Sequence, residues 1–422
     1  MSIRGHLMYR LFAALKSLPV QLLVCVGCGF IFAPHLNIFV VQLFYSLSTS
    51  FIDILMTVLP GIIFIYIFCS IVALDRRSPI YIGLVLGSVT LSNMVALMTA
   101  YGVSLTLLPY ISIPNVSDLL TTSQSSVTTL WDYRLPKFLG TDRAMLIGFV
   151  MGLIVSFLPT TSAIKQGVIR YSLQARDKVT HGLQKTFIPL LPLYITGFCL
   201  KLSYERSISF LFEYYAPVFI LSLGVILVYL GGMYACAGGF KVKRVVQLIH
   251  NMAPAGLTAF TTMSSAATLP VTLKSTIKNT GHEAHTNLVV PTTANIHMVG
   301  DDLTIVITAM TLLTMNGQPF PDFQTFLLFA GAFCFAKLSC VGIPGASVLV
   351  ILPVLEEFLG FNSTLISLVT TIYILQDPFG TCANVMSNGA FAVMVNKLFG
   401  WIKLTKPLPV KQNTDSTEVL AA

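Results

Sequence analysis

The sequence predicts an all-α integral membrane protein, and three observations support this fold class. Of the 422 residues, 55% are hydrophobic and only 10% are charged, and the mean hydropathy is +0.80. Soluble domains carry about 25% charged residues. The apolar residues are grouped in long runs with few charges, and a transmembrane helix needs about 20 such residues. We therefore expect roughly six to eight spans together with shorter apolar segments.

Six apolar runs predict most of the helices in order along the chain. They are residues 20–33, 38–74, 80–108, 144–158, 218–237 and 305–315. The first run lacks the short apolar core and small-residue cleavage site of a secretory signal peptide, so we expect it to remain as a helix. Between the third and fourth runs, residues 113–140 contain clusters of Ser and Thr and predict an extracellular loop.

Positive charges are concentrated in alternate connections between the runs. Lys and Arg precede the first run, follow the second, cluster in residues 165–185 and 241–244, and recur after residue 397. This alternation is the positive-inside pattern of membrane proteins. It predicts a multi-pass protein of the cell (inner) membrane, with an even number of spans, both termini in the cytoplasm and a cytoplasmic tail at 401–422. It also favours a lipid bilayer over nucleic acid as the partner of the basic residues.

Motifs of other functional classes are weak in this sequence. Cys25 and Cys28 form a CxxC pair, but no second pair or histidine accompanies it at metal-ligand spacing, so we predict no certain metal site. There is no P-loop, which argues against direct coupling to ATP. We therefore expect no cofactor, and H⁺ or Na⁺ as a possible coupling ion. Intramembrane catalysis by His297 and Asp301 is disfavoured because no activated Ser or Cys stands beside them.

The apolar runs of the second half are interrupted four times by small and polar residues. The interruptions are SSAATLP at 264–270, NIHMVGDD at 295–302, GIPGAS at 342–347 and QDPFGTCANVMSNG at 376–389. Backbone that leaves the helix at membrane depth must be buried in protein or line a cavity. Short arms around the first and third interruptions predict re-entrant hairpins near 255–285 and 325–361. The second and fourth interruptions predict broken helices. Such elements mark the substrate site of transporters, whereas the alternative is ordinary kinks between packed helices.

At these residues the sequence resembles the dicarboxylate/amino acid:cation symporter family, the homologues of the glutamate transporters. Residues 264–270 are similar to the serine-rich tip of the first hairpin, and 342–346 to the G-[VI]-P-G-A tip of the second. The resemblance implies eight transmembrane helices, two opposed hairpins and a homotrimer. It also implies that residues 1–216 form mostly scaffold and trimerisation helices. Residues 217–400 would form mostly the transport domain, which carries substrate as an elevator.

The resemblance implies a substrate site shared by the two tips, the broken helix and the last helix. Its residues are Ser264, Ser265, Asp301, Ile343, Gly345, Asp377, Gly380, Thr381 and Asn384. Amides at a helix N-terminus bind carboxylates, and glycine allows the backbone to approach a ligand. Asp377 matches the family aspartate that holds the substrate amino group, while capping of a helix before Pro378 is the alternative. Gly380 replaces the arginine that binds an acidic side chain, so a neutral amino acid is favoured over a dicarboxylate.

The family's cation sites are the most altered part of the sequence. Residues 297–301 read HMVGD where the family has the sodium-binding N-M-D-G-T, and Asn388 replaces a second sodium-binding aspartate. The candidate cation-coupling residues are His297, Met298, Asp301, Lys337, Asn384 and Asn388. Histidine titrates near neutral pH, and we expect His297 one turn from Asp301 on the same helix face, either as a proton-coupling group or as a structural hydrogen-bonding group.

Lys337 is a further departure, five residues before Gly342 at a position where the family lends backbone oxygens to sodium. A lysine at membrane depth needs a partner. In the fold that the resemblance implies, the acids near it are Asp301, Asp302 and Asp377. We expect its ammonium to replace a bound cation, and the alternative is that its long stem reaches the membrane surface.

Together these features predict a secondary active transporter, a symporter for a small neutral amino acid, that is proton-coupled or carries degraded sodium sites. A sodium-driven symporter for dicarboxylates or acidic amino acids is the alternative within this class. A receptor or channel-like homologue that does not transport is the alternative outside it, and an enzyme is not expected. Two hairpin tips favour transport, because a receptor has no need of a gate on each side.

Overall fold

The computed structural model describes residues 18–72, 79–111, 127–131, 135–136, 139–159, 162–204, 207–340, 342 and 344–401, and these residues form helices without any β-strand. The helices are α1 Leu18–Phe32, α2 Ile38–Val72, α3 Pro79–Leu107, α4 Thr141–Phe157, α5 Ala163–Gly182, α6 Ile188–Tyr204, α7 Ser207–Gly238, α8 Val242–Thr262, α9 Ser265–Thr280, α10 Glu283–Thr293, α11 Val299–Met315, α12 Phe323–Lys337, α13 Ala346–Leu359 and α14 Ser363–Trp401. The described part of the chain is therefore all-helical, as predicted. Most of the predicted loop at 113–140 lies outside the described residues.

Several of the helices are long and apolar enough to cross a membrane. Among the described residues, Ile38–Cys69, Gly83–Tyr110 and Ala216–Gly238 meet this condition on their own. Ala163–Phe187 and Pro189–Lys201 provide a fourth candidate span if this pair, bent by 46°, is counted as one. The apolar helices within α4 and α12 are shorter. Eight transmembrane helices remain a prediction.

Helices of the first half pack around α2. This helix contacts α4 and α6 along its length, and α6 also contacts α1. The approach of α6 is close because Gly197 has no side chain: a Cβ there would overlap the Phe44 carbonyl and the Ser48 hydroxyl. Ser48 also donates a hydrogen bond to the Tyr194 carbonyl at 2.9 Å. Small residues at such crossings are typical of helices that associate in membranes.

Helices of the second half pack around α14. This helix contacts α7, α8, α9, α11 and α13. The α11 helix lies between α14 and α3, and it is buried along almost its whole length. The α11–α14 pair therefore forms the centre against which the two helix pairs α8–α9 and α12–α13 are placed.

The two segments predicted as hairpins each contain a pair of contacting helices, α8–α9 and α12–α13, and their re-entrant character remains a prediction. Met263, with a left-handed φ of 50°, connects α8 to Ser264, the N-cap of α9. Asp322 caps α12 by accepting the Thr325 N–H, and this bond lowers the pKa of its exposed carboxyl below the ordinary value. The α8 arm begins at Val242, well before the expected start near residue 255. Its first turns are amphipathic rather than apolar, so hydropathy did not include them.

One of the two predicted broken helices is broken and the other is not. Residues 294–298 separate α10 from α11, as expected from the interruption at 295–302. The interruption at 376–389 instead lies within α14, which continues through Pro378. Membrane helices tolerate proline where neighbouring helices surround the freed backbone group, and α14 is packed on several sides. The prediction of a break at this position was wrong.

Candidate substrate and cation site

The tips of the two helix pairs contact each other directly. Ser264 Oγ donates a hydrogen bond to the Gly342 carbonyl at 2.6 Å, and the Ala266 N–H donates to the same oxygen at 3.2 Å. Ser264 also caps α9 by accepting the Ala267 N–H. A Cβ at Gly342 would overlap Asn295 Oδ1, so glycine is required for this approach. The two tips are therefore joined to each other by hydrogen bonds to one carbonyl oxygen.

Asp377 connects the second tip to α14. Its carboxylate accepts the Gly345 N–H at 2.9 Å, the Thr381 hydroxyl at 2.6 Å and the Tyr373 hydroxyl at 3.4 Å. Gly345 is the N-cap of α13 and has a left-handed φ of 74°. The helix N-terminus therefore points its amide at a buried anion, which is electrostatically favourable. Asp377 does not cap its own helix, because it lies in the interior of α14.

Asp301 lies where α11 crosses α14. Its backbone N–H donates to Asn384 Oδ1 at 3.2 Å. The crossing is tight, because a Cβ on Gly300 would overlap the Gly380 carbonyl. A Cβ on Gly380 would lie 2.9 Å from Asp301 Oδ1, an oxygen that has no hydrogen-bond partner in the described part of the chain. A buried carboxylate oxygen therefore faces the position at which the family has arginine.

Lys337 lies beside Asp301 and Asp302. Its Nζ is 3.6 Å from Asp301 Oδ2 and 3.4 Å from Asp302 Oδ1, and all three side chains are at most 1% exposed. The same atom is 3.9 Å from Met298 Sδ and 5.3 Å from the centre of the Phe333 ring. The snorkelling alternative is wrong for this structure, because the ammonium is enclosed by protein.

His297 lies in the break between α10 and α11 and not on α11. Its Nε2 is 2.9 Å from Ser92 Oγ, and its ring stacks on Phe391 at 4.4 Å. No hydrogen bond connects it to Asp301 among the described residues. The expectation that His297 and Asp301 share a helix face was wrong, because α11 begins only at Val299. The His297 ring belongs instead to the packing between α3 and α14.

The remaining predicted residues lie around these groups. Met298 Sδ is 3.3 Å from Ser347 Oγ, and Asn388 accepts a hydrogen bond from the Thr293 hydroxyl. Ser265 is buried as the first residue of α9. Ile343 lies outside the described residues. The structure thus brings the acids, Lys337 and the two tips together, and it places His297 apart from them.

Two residues that contact the predicted site residues were not identified from the sequence, Tyr373 and Ser347. Tyr373 donates to Asp377 from one helical turn before it, a spacing that the sequence shows once α14 is recognised as a continuous helix. Ser347 contacts Met298 immediately after the second tip motif, and its position there was the available signal.

Two contacting helix pairs with touching tips, a broken helix and buried carboxylates among apolar helices are the features of a membrane transporter. The chain belongs to the sodium:dicarboxylate symporter family, whose model matches residues 18–398. This confirms the family resemblance. Members of this family are transporters and not enzymes, which confirms that prediction as well.

Curated relatives match parts of the chain. The serine/threonine transporter SstT of Acinetobacter baylyi is 29% identical over 147 residues, 34% of this chain and 36% of the relative. The excitatory amino acid transporter 3 of Mus musculus is 31% identical over 157 residues, 37% of this chain and 30% of the relative. The same transporter of Bos taurus is 29% identical over 157 residues, again 37% of this chain and 30% of the relative. The matches therefore span about a third of each relative's length.

Proposed function

We propose that this chain is a secondary active transporter, a symporter, that moves a small neutral amino acid across the cell membrane. The family is one of symporters, and the relatives are named for serine/threonine and for excitatory amino acids. Serine and threonine are therefore the first substrates to test.

The observation that carries this proposal is the unpartnered Asp301 Oδ1 beside Gly380, in the same buried site as Asp377. A substrate ammonium needs anionic acceptors in a buried site. Asp301 offers a free oxygen, and Asp377 becomes available if the Gly345 N–H moves away when the second tip opens. The substrate carboxylate would bind at the first tip, at the N-terminus of α9, with the Ser264 and Ser265 hydroxyls.

The absence of a guanidinium at position 380 supports a neutral side chain on the substrate. Arginine binds carboxylates in a bidentate manner that glycine cannot reproduce. A second carboxylate on the substrate would instead lie near Asp301 and Asp377, and like charges in a buried site repel. The sodium-driven carrier of dicarboxylates or acidic amino acids is therefore the weaker candidate.

The altered cation sites support a proton, or a degraded sodium site, as the coupling element. Val299 offers no side-chain oxygen, and the neutral Asn388 amide is already hydrogen-bonded to Thr293. Sodium requires several hard oxygen ligands. For movement we propose the elevator: the helices around α14, with both hairpins, move against those around α2 in a homotrimer whose subunit termini are cytoplasmic.

The test is uptake by the purified protein in liposomes, with sodium and proton gradients imposed separately. Radiolabelled serine, threonine and aspartate are compared, and Asp377→Asn serves as the matched variant that keeps the side-chain shape but removes the charge. We expect uptake of a neutral amino acid without sodium, stimulated by an inward proton gradient and lost in Asp377→Asn. Strict sodium dependence with a preference for aspartate would refute the proposal. Binding without uptake would identify a receptor.

A further inference from the structure

Two carboxylates and one ammonium are buried where α12 ends against the start of α11. Asp301 and Asp302 stand in the first turn of α11, and Lys337 is the last residue of α12. All three residues have an exposed fraction of 1% or less. Helix N-termini favour anions and helix C-termini favour cations, so the charges suit both helix ends. The arrangement is therefore an ion cluster built into the contact between two helices.

The contact is ionic more than hydrogen-bonded. The distances of 3.4 and 3.6 Å from Nζ to the carboxylate oxygens exceed the usual 2.7–2.9 Å of a charge-assisted hydrogen bond. Both oxygens of Asp302 and Oδ1 of Asp301 have no hydrogen-bond donor among the described residues. These carboxylate oxygens can therefore interact with a cation, and the Lys337 ammonium supplies one positive charge between the two carboxylates.

We propose that the Lys337 ammonium acts as a built-in cation, which holds the end of α12 against the Asp301–Asp302 pair so that the second hairpin closes without bound sodium. Lys337 is then a positioning residue: it contacts the acids and not the substrate. The proposal deepens the proposed function, since it gives the physical reason for sodium-independent closure. Its test does not depend on transport, so the two can fail separately.

An ordinary structural ion pair is the competing explanation. Either role predicts that removal of Lys337 destabilises the protein, because it leaves two buried carboxylates without a counter-charge. The built-in cation requires, in addition, that a free sodium ion can take the place of the ammonium in the vacated position. Sodium should therefore stabilise a variant without Lys337 and have no specific effect on the unaltered protein.

The experiment measures the melting temperature of purified protein in detergent, in sodium chloride and in choline chloride at equal ionic strength. Lys337→Met keeps the apolar stem and removes the charge. We expect its melting temperature to be lower than that of the unaltered protein in choline, and to rise by about 2 °C or more in about 100 mM sodium. The triple variant Lys337→Met/Asp301→Asn/Asp302→Asn is the matched control, and it should show no sodium-specific shift.

Each outcome is decisive. No sodium-specific shift in Lys337→Met overturns the proposal, and so does an equal shift in the unaltered protein, because sodium would then bind beside the lysine. If Lys337→Met can be purified as folded protein only in sodium chloride, this supports the proposal. Should it be recovered in neither medium, Lys337→Met/Asp302→Asn is judged by the same criterion, since it retains Asp301 with a smaller charge imbalance.

Discussion

Replacing Gly380 by alanine adds one methyl group between Asp301 and the space that we assign to the substrate ammonium. The new Cβ would lie 2.9 Å from Asp301 Oδ1, closer than real Cβ contacts occur. Its next neighbours, the Gly300 carbonyl carbon and Thr304 Oγ1, are both at 4.0 Å, an ordinary contact distance. Only the carboxylate oxygen must therefore move. It has no hydrogen bond to hold it, so it should turn away from the substrate.

The expected effect is on substrate affinity rather than on stability. Alanine is favoured over glycine inside a helix by up to about 1 kcal/mol, which offsets the cost of moving one carboxylate oxygen. The substrate loses one hydrogen bond to a charged group, worth about 1.5–3 kcal/mol. Because about 1.4 kcal/mol corresponds to a tenfold change, we expect affinity to fall about 10- to 150-fold.

The assay is the concentration dependence of uptake in liposomes, with melting temperatures measured in parallel. Gly331→Ala is the matched control, because it is the same substitution in helix α12 and its Cβ would meet no atom within 4 Å. The control should behave as the unaltered protein. An unchanged half-saturation concentration in Gly380→Ala, with a normal melting temperature, would refute the role of Asp301 Oδ1.

Restoring the family residues with Asp301→Thr and Gly380→Arg should shift selectivity towards aspartate, measured by its competition with serine uptake, because the guanidinium can bind a second carboxylate. His297→Gln should leave the pH dependence of uptake unchanged, because the His297 ring is buried in the packing between α3 and α14, apart from the acids, and glutamine keeps its hydrogen-bonding capacity. Gly300→Ala should destabilise the protein by about 1–3 kcal/mol, measured as a lower melting temperature, because its Cβ has no room at the crossing of α11 and α14. Ser125→Cys, in the predicted extracellular loop, should react with an impermeant maleimide in intact cells.

Each of these expectations has a contrary result. Selectivity that stays with serine in the double variant would show that residues elsewhere determine specificity. A flattened pH profile in the histidine variant would show that His297 takes part in proton coupling despite its burial. A normal melting temperature in Gly300→Ala would show that the two helices can separate at little cost. Labelling at position 125 only after the membrane is broken would invert the topology.

The hairpin tips were predictable because their chemistry is local. A serine that caps a helix and a glycine in a left-handed conformation can be recognised from the residue type and its neighbours in the sequence. Ser264 and Gly345 have these roles. The fold implied by the family resemblance also limited the partners of Lys337 to three acids. The choice among them depends on how α11 and α12 pack, which no local pattern encodes. The structure pairs it with Asp301 and Asp302.

The errors came from reading small and polar residues as breaks. Pro378 and Gly380 suggested an interrupted helix, yet α14 is continuous because neighbouring helices surround it. The opposite error was made at His297, which was assigned to a helix that begins two residues later. In both cases tertiary packing, rather than local preference, determines where the helix begins or ends.

In the proposed transporter the two tips are the gates, and the hydrogen bond from Ser264 to the Gly342 carbonyl joins them. Opening towards either side of the membrane breaks the same bond, whose net worth is about 0.5–1.5 kcal/mol. A substrate therefore competes with a contact that the protein makes to itself, and its apparent affinity is the intrinsic affinity multiplied by the fraction of molecules in which this contact is broken. Without substrate, the intact bond keeps both tips together, so the same contact limits both leak and affinity.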